Sequence, residues 1–306
     1  MGSTNYIDQF RAAIEAAGLV PPEHIEADGL LHRFSASGKR SDTSAWYVLH
    51  GDGVPAGVFG CWRAGLHSTW CGKPMDSLSE AERSAHRERI RAMRAQRDAE
   101  EAQRLRSEAD RAAARWSAAS PNCQHPYLAA KGVQPHGLRQ DGDLLLVPLR
   151  DGAGQLHSLQ TIDAAGDKRY RGRKKGCYYA MGRPQDGVLV VGEGYATCAS
   201  IHEATGHAVA CAFDSGNLLP VARALRHKYP QQLLVLAADD DWRTEGNPGL
   251  AAATNAALAV GGFVVRPQFP AHRPPKATDF NDLAALAGPG AVRACFTELL
   301  EGMTPC

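Results

Sequence analysis

The chain of 306 residues has no pair of cysteines in C-x-x-C spacing, although it carries eight of them. Scattered single thiols read as free, structural cysteines in a reducing compartment rather than a disulfide framework. No apolar run approaches the roughly 20 residues that cross a bilayer, and the opening MGSTNYIDQF lacks the basic start and apolar middle of a secretion signal. These absences point away from a membrane and towards the cytoplasm. A charge excess is missing too: 34 basic residues stand against 33 acidic ones. Any affinity for a charged partner must therefore come from local clusters. What is present is enough hydrophobic sequence, 44%, for more than one core.

Four potential zinc ligands lie near one another in sequence: His50, Cys61, His67 and Cys71. Zinc modules usually pair their ligands about two to four residues apart. Here the first three are six or more apart, so ordinary cysteine in a small β-rich unit is the reading, and no zinc is expected.

Composition divides the chain. Residues 1–75 form a small N-terminal α+β domain: an amphipathic helix from Tyr6 to Ala17 ended by Gly18, then strand-like LLHRF, AWYVLH and AGVFGCW, with three of the five tryptophans. Residues 76–119 contain no Gly or Pro and pair opposite charges at helical spacing, such as Glu100 with Arg104 and Glu108 with Arg111. Ser77 or Ser79 caps this segment, with Glu80 or Glu82 three residues on completing a capping box. It reads as one long, mostly solvated helix acting as a spacer.

Residues 120–186 form a mixed α+β subdomain. HPYLAAKGV is a short helix closed by Gly132, and LLLVPLRD and LHSLQTID are strands of a hairpin turned by GAGQ. From 187 to 306 apolar strands (GVLVVG, HAVACAF, LLVLAAD, FVVRPQF) alternate with helices (YATCASIHEAT, LLPVARALRHKY, PGLAAATNAALAV). The fold class is therefore α/β, a parallel sheet buried by helices on both faces. Two further helices, DFNDLAALA and AVRACFTELLE, follow.

Open parallel sheets bind ligands beyond the carboxyl ends of their strands. Glu193, flanked by Gly192 and Gly194, stands at that end of the first strand; Asp239, Asp240 and Asp241 stand at that end of the third. Carboxylates spaced D-x-D, joined by a Glu from another strand, make a hard oxygen site suited to Mg²⁺ or Mn²⁺. Capping of the following helices is the other role open to these acids. Upstream, Lys168, Arg169, Arg171, Arg173, Lys174 and Lys175 fall within eight residues that contain no acid, with Tyr170 among them. Cations beside aromatics suit single-stranded nucleic acid, although a solvated charge run has the same composition.

E-G-Y-A-T after one strand and D-x-D after a later one resemble the Toprim fold shared by primases, topoisomerases and some nucleases. More narrowly, EGYAT with AADDDW, NPGLAAA and DFNDL is similar to primases of phages and conjugative plasmids. YLAAKGV, VPLRDGAGQLHSL and DKRYRGRKKGCYYAMG resemble the opening helix, the hairpin and the basic segment of bacterial replicative primases, so the likeness spans about 120 to 285. Residues 4–74 resemble an uncharacterised domain that precedes such Toprim segments in phage proteins. The resemblance implies that Glu193, Asp239 and Asp241 are metal-binding catalytic acids and that Lys168 lies near nucleotide or template. The family's N-terminal zinc ribbon is not visible, and no helicase segment follows Cys306, so unwinding is expected from a replicative helicase in trans.

The expected activity is a DNA primase: a nucleotidyltransferase building short RNA primers from nucleoside triphosphates on single-stranded DNA, in a bacterial host's cytoplasm, for phage or plasmid replication. Glu193, Asp239 and Asp241 hold Mg²⁺ or Mn²⁺, with Asp240 a further ligand or a neighbour. Lys168 and Arg169 neutralise phosphate. Arg150, Arg171, Arg173, Lys174 and Lys175 track the template. Asp279 and Asp282 are either additional acids or helix caps. Two other readings stay open: a Toprim nuclease using the same acids with water as nucleophile, and a non-catalytic replication or helicase-binding protein.

Overall fold

The computed structural model describes residues 3–39, 42–74, 78–184 and 187–302, with side chains from Tyr6 onward. The chain divides into two units, Met1–Gln103 and Arg104–Cys306, and the division falls inside the long helix.

In the first unit, α1 (Ser3–Ala16) leads to Gly18, whose φ of +80° is the left-handed conformation that ends helices. Strands β1 (His32–Phe34), β2 (Ala45–His50), β3 (Ala56–Cys61) and β4 (Leu66–Cys71) form an antiparallel meander in chain order. Phe10 and Ile14 of α1 pack with Tyr47, Leu49 and Phe59, while Trp46, Val48 and Val58 take Met93 of α2 (Glu80–Ala118). Strand β4 is not evident in the sequence, because it is a half-exposed edge strand of mixed polarity. At the start of α2 the Ser79 hydroxyl accepts from the Glu82 N–H at 3.3 Å, and the Glu82 carboxylate accepts from the Ser79 N–H at 2.9 Å. The capping box is therefore Ser79 with Glu82; Ser77 lies outside the described residues. His50 and Cys71 both register with Ala56, whereas Cys61 and His67 sit at the far end of β3. At about 3.4 Å per residue those ends are roughly 17 Å apart, so the four do not converge.

The second unit begins with the rest of α2, which is not a bare spacer. Ala112 and Trp116 pack on Leu146 and Leu159, Arg115 pairs with Asp141 at 2.6 Å, and Glu108 pairs with Arg111 at 3.0 Å. After α3 (Pro126–Lys131), strands β5 (Arg139–Asp141), β6 (Leu144–Arg150), β7 (Leu156–Ile162) and β8 (Lys168–Tyr170) make a second antiparallel meander. The third sheet has the order β13-β12-β10-β11-β9, from β9 (Tyr179–Met181), β10 (Val188–Gly192), β11 (Ala208–Cys211), β12 (Leu233–Ala237) and β13 (Phe263–Val265). Four of these strands are parallel, and β9 runs antiparallel at the edge.

Strand alternation divides that sheet cleanly. Val190, Val235 and Val209 face α4 (Tyr195–Thr205) and α7 (Phe280–Glu301); Leu189, Val191, Leu234 and Leu236 face α5 (Leu218–Lys228) and α6 (Pro248–Val260). By length and composition α7 is apolar enough to cross a membrane. Its backbone breaks at Gly288 (φ 79°, ψ 169°), and Phe280, Leu283, Val292 and Phe296 are buried in the core, as suits two short helices of a folded domain.

Candidate active site

Strands β10 and β12 are neighbours in parallel register, with Val191 opposite Leu236. Their carboxyl ends therefore deliver Glu193 and Asp239 side by side. Two glycines permit this crowding. A Cβ on Gly192 would stand 2.9 Å from Cys198 Sγ, and one on Gly249 would stand 2.6 Å from the Asp239 carbonyl oxygen and 3.0 Å from Asp241 Oδ2. Asp279, the N-cap of α7, adds a third approach: its charge acts on both Glu193 and Asp239.

Burial dominates the electrostatics. It pushes the Glu193 carboxyl up to about 7, reinforced by the charges of Asp241 and Asp279 and opposed by a backbone hydrogen bond from Ser215. Asp239 is pushed up to about 8, again by burial first and then by Glu193, Asp279 and Asp241, with Lys168 pulling the other way. Asp279 is also raised, by burial and then Asp282. Glu193 Oε1 and Asp239 Oδ1 are buried without a hydrogen-bond partner. Orphaned buried acceptors at mutually repelling carboxylates are a misfit for protein alone and a fit for a hard divalent cation.

The three adjacent aspartates have different neighbours. Asp240 is buried, and both its oxygens are taken: Arg273 Nη1 donates to Oδ2 at 2.6 Å and Asn247 Nδ2 to Oδ1 at 2.7 Å. Burial works to raise its pKa, but the bonds from Arg273 and Asn247 outweigh it and the group is held below its ordinary value. Asp240 is thus spoken for by Arg273 and is poorly placed as a metal ligand. Asp241 Oδ2 accepts from the Gly249 N–H at the start of α6, at 3.1 Å. Asn247 holds the turn: its φ of +42° is left-handed, and its side chain accepts from the Asp241 N–H at 2.8 Å. Asp279 and Asp282 form a capping box, the Asp282 N–H donating to Asp279 Oδ1 at 2.8 Å. Asp279 therefore caps and faces the acids at once, whereas Asp282 turns its carboxylate to the Thr278 N–H at 2.8 Å.

The basic segment is divided between two faces of its sheet. Lys168 registers with Ile162, a residue of the core that underlies the acids, and its Nζ lies 3.8 Å from where a Cβ on Gly194 would be. Arg169 registers with Thr161, and with Arg171 it lines a cleft against Glu108, Arg111 and Arg115 of α2. Lys168 thus stands at the acids and Arg169 does not, because successive strand residues point to opposite sides. Lys174 pairs with Asp214, its Nζ 5.0 Å from the centre of the Tyr170 ring. Arg173 Nε lies 3.4 Å from the Lys175 carbonyl, and Lys175 is exposed. Arg150 donates to the Gly154 carbonyl at 3.0 Å within the β6–β7 turn.

Three positioning residues escape the sequence reading. Buried Asn217 accepts from the Gly176 N–H at 2.8 Å and donates to the Cys177 and Ala212 carbonyls at 2.9 Å each, pinning the basic loop to the end of β11. Asn247 carried a signal, an Asn before Pro-Gly at a helix start. Arg273, in AHRPPKATDF, carried none.

Residues 188–290 match the family model described as a Toprim domain. The chain is 38% identical over 281 residues to a DNA primase TraC of Escherichia coli, covering 86% of this chain and 26% of that protein. To a second DNA primase TraC of Escherichia coli it is 36% identical over 300 residues, 91% of this chain and 20% of that one. It therefore spans about a quarter or a fifth of the length of these relatives. A crystal structure of the Aquifex aeolicus primase (zinc-binding and RNA polymerase domains) superposes with a TM-score of 0.46 at 16% identity, over 97% of this chain and 86% of that one.

Proposed function

Residues 188–290 match the Toprim domain model and the chain is similar over most of its length to two DNA primases TraC of Escherichia coli; on that premise we propose that it is itself a DNA primase, a metal-dependent nucleotidyltransferase that builds short RNA primers on single-stranded DNA. One observation carries the reading: Glu193 Oε1 and Asp239 Oδ1 are buried, unpartnered acceptors at adjacent strand ends, with the Lys168 ammonium beside them.

Glu193, Asp239 and Asp241 are the residues to hold Mg²⁺ or Mn²⁺, with Asp279 as a fourth carboxylate facing the same place. Bound there, the ion supplies activation of an attacking hydroxyl oxygen and stabilisation of charge growing on phosphorus. The protein's own contribution is positional. Lys168 meets a triphosphate at the acids; Asn247 and Gly249 fix the Asp239–Asp241 turn; Asn217 holds the Lys174–Cys177 loop at the end of β11. Burial keeps water from competing for the acids. Arg150, Arg171, Arg173, Lys174 and Lys175 are template contacts in this reading, Arg169 among them rather than at the triphosphate. Nucleoside triphosphates, single-stranded DNA and a replicative helicase are the proposed partners, in the cytoplasm of a bacterial host.

The test is incorporation of labelled ribonucleotides on a single-stranded template with Mg²⁺ or Mn²⁺. Short products that vanish in Glu193→Gln, with template binding nearly intact, are expected. Shortening of DNA without any incorporation would transfer the site to a Toprim nuclease.

A further inference from the structure

Beyond the acids, the loop from Trp242 to Asn247 and the segment after β13 enclose an open cleft of about 1040 Å³. Asp240 lines it, turned away from its two neighbours. Trp242 is 47% exposed, a large aromatic surface left in water at the cleft wall. The turn that carries it is fixed: the Trp242 backbone N–H donates to the Asp240 carbonyl at 2.7 Å and the Thr244 backbone N–H to the Asp241 carbonyl at 2.7 Å. The Arg273 guanidinium lies 5.1 Å from the Trp242 ring centre and 4.2 Å from that of Phe269, fixed there by its bonds to Asp240 and to the Ala277 carbonyl. Arg243, 5.6 Å from the same ring, and exposed Arg266 also border the cleft, and neither forms an ion pair among the described residues. Among the described residues the lining holds one other acid, exposed Glu245.

We propose that this shelf binds a nucleotide, with Trp242 stacking on the base and Arg243 and Arg266 meeting its phosphate. A half-exposed indole flanked by the Arg243 and Arg266 guanidinium groups has the chemistry of base-plus-phosphate recognition. In the chain, Asp240 of this shelf lies between Asp239 and Asp241, two of the candidate metal acids. The same chemistry serves a free triphosphate and a nucleotide of the template strand. The inference rests on the primase reading for what the bound nucleotide is used for, but not for whether it binds.

The experiment compares the wild type with Trp242→Ala, Trp242→Phe and Arg266→Ala in two arms. One arm measures Kd for a labelled single-stranded oligonucleotide without nucleotides; the other measures KM for ATP in primer synthesis at saturating template. Trp242→Ala should raise one of these about tenfold, Trp242→Phe should recover most of the loss, and Arg266→Ala should weaken the same parameter and reduce its salt dependence. A change confined to Kd assigns the shelf to the template, and one confined to KM assigns it to the incoming nucleotide. Values within twofold of wild type in both arms overturn the proposal, and altered self-association alone would give Trp242 to a protein contact instead. A wild type that binds the oligonucleotide but makes no primers refutes the primase reading, while the binding arm still judges the shelf. Melting temperatures of the three variants guard against misfolding.

Discussion

No side chain fits between Gly249 and Asp239. A Cβ on Gly249 would stand 2.6 Å from the Asp239 carbonyl oxygen and 3.1 Å from the Asp239 Cβ. Gly249→Ala must therefore displace the strand end that carries two of the candidate ligands, without altering any charge. We expect this variant to fold, to lose most of its thermal response to Mg²⁺, and to lose primer synthesis. Metal response and synthesis at wild-type level would mean that Asp239 is not a ligand.

The raised carboxyls tie stability to pH and metal. Glu193 and Asp239 hold protons up to about 7 and about 8 in the folded state, against roughly 4 when unfolded. Between those values the folded state binds more protons than the unfolded one, so stability falls as pH rises from about 4 to about 8. In the absence of divalent metal, Glu193→Gln and Asp239→Asn should erase this contribution and melt above the wild type at pH 8, by roughly a few °C. Saturating Mg²⁺ or Mn²⁺ should raise the wild type by mass action, at 100 times Kd by about 2.7 kcal/mol, and leave the variants unmoved. Calorimetry across pH, with and without metal, reads both effects. Wild type and variants with parallel pH curves would refute the assignment.

Arg273 and Asp240 predict an asymmetry. Arg273→Ala leaves a buried carboxylate with Asn247 as its remaining side-chain donor, which should cost roughly 3–5 kcal/mol in urea denaturation. Asp240→Asn, which removes the charge and keeps the shape, should cost less and should spare the metal response. Loss of that response in Asp240→Asn would return Asp240 to the ligand set.

The two faces of β8 should separate in assay. Lys168→Ala, beside the acids, should depress synthesis far more than template binding. Arg169→Ala and Arg171→Ala, in the cleft against α2, should weaken single-strand binding and lower its salt slope by about 0.7 for each phosphate no longer neutralised. Equal effects on binding from all three would show that Lys168 is only a template contact.

Much of this architecture is legible from residue patterns, and the exceptions have physical causes. YATCASIHEAT and PGLAAATNAALAV coincide with α4 and α6, because Gly194, Gly206, Asn247 and Gly261 punctuate them. The strand-end acids follow from apolar runs that stop at Glu193 and Asp239. The basic segment is harder. Its composition suggests one continuous strip, but a three-residue strand hides in it and sends Lys168 and Arg169 to opposite faces. Such a short strand, exposed along its length, leaves no apolar alternation to detect. The partner of Asp240 is illegible for another reason: Arg273 is 33 residues away in a loop, and pairings of that kind are set by tertiary packing alone.

The helix α2 bears on how such proteins can be reassorted. Its Met93 completes the tryptophan-lined face of the first sheet, and its Ala112 and Trp116 cover Leu146 and Leu159 of the second unit. A gene fusion or exchange of modules cut at residue 120, where the helix ends and composition changes, would strip the second unit of that cover. A junction within the helix, between Arg97, which lies over Trp46, and Glu108, which lines the cleft with Arg169, keeps both sets of neighbours with their owners. The natural seam for recombination in this chain is therefore inside a helix, not at a loop.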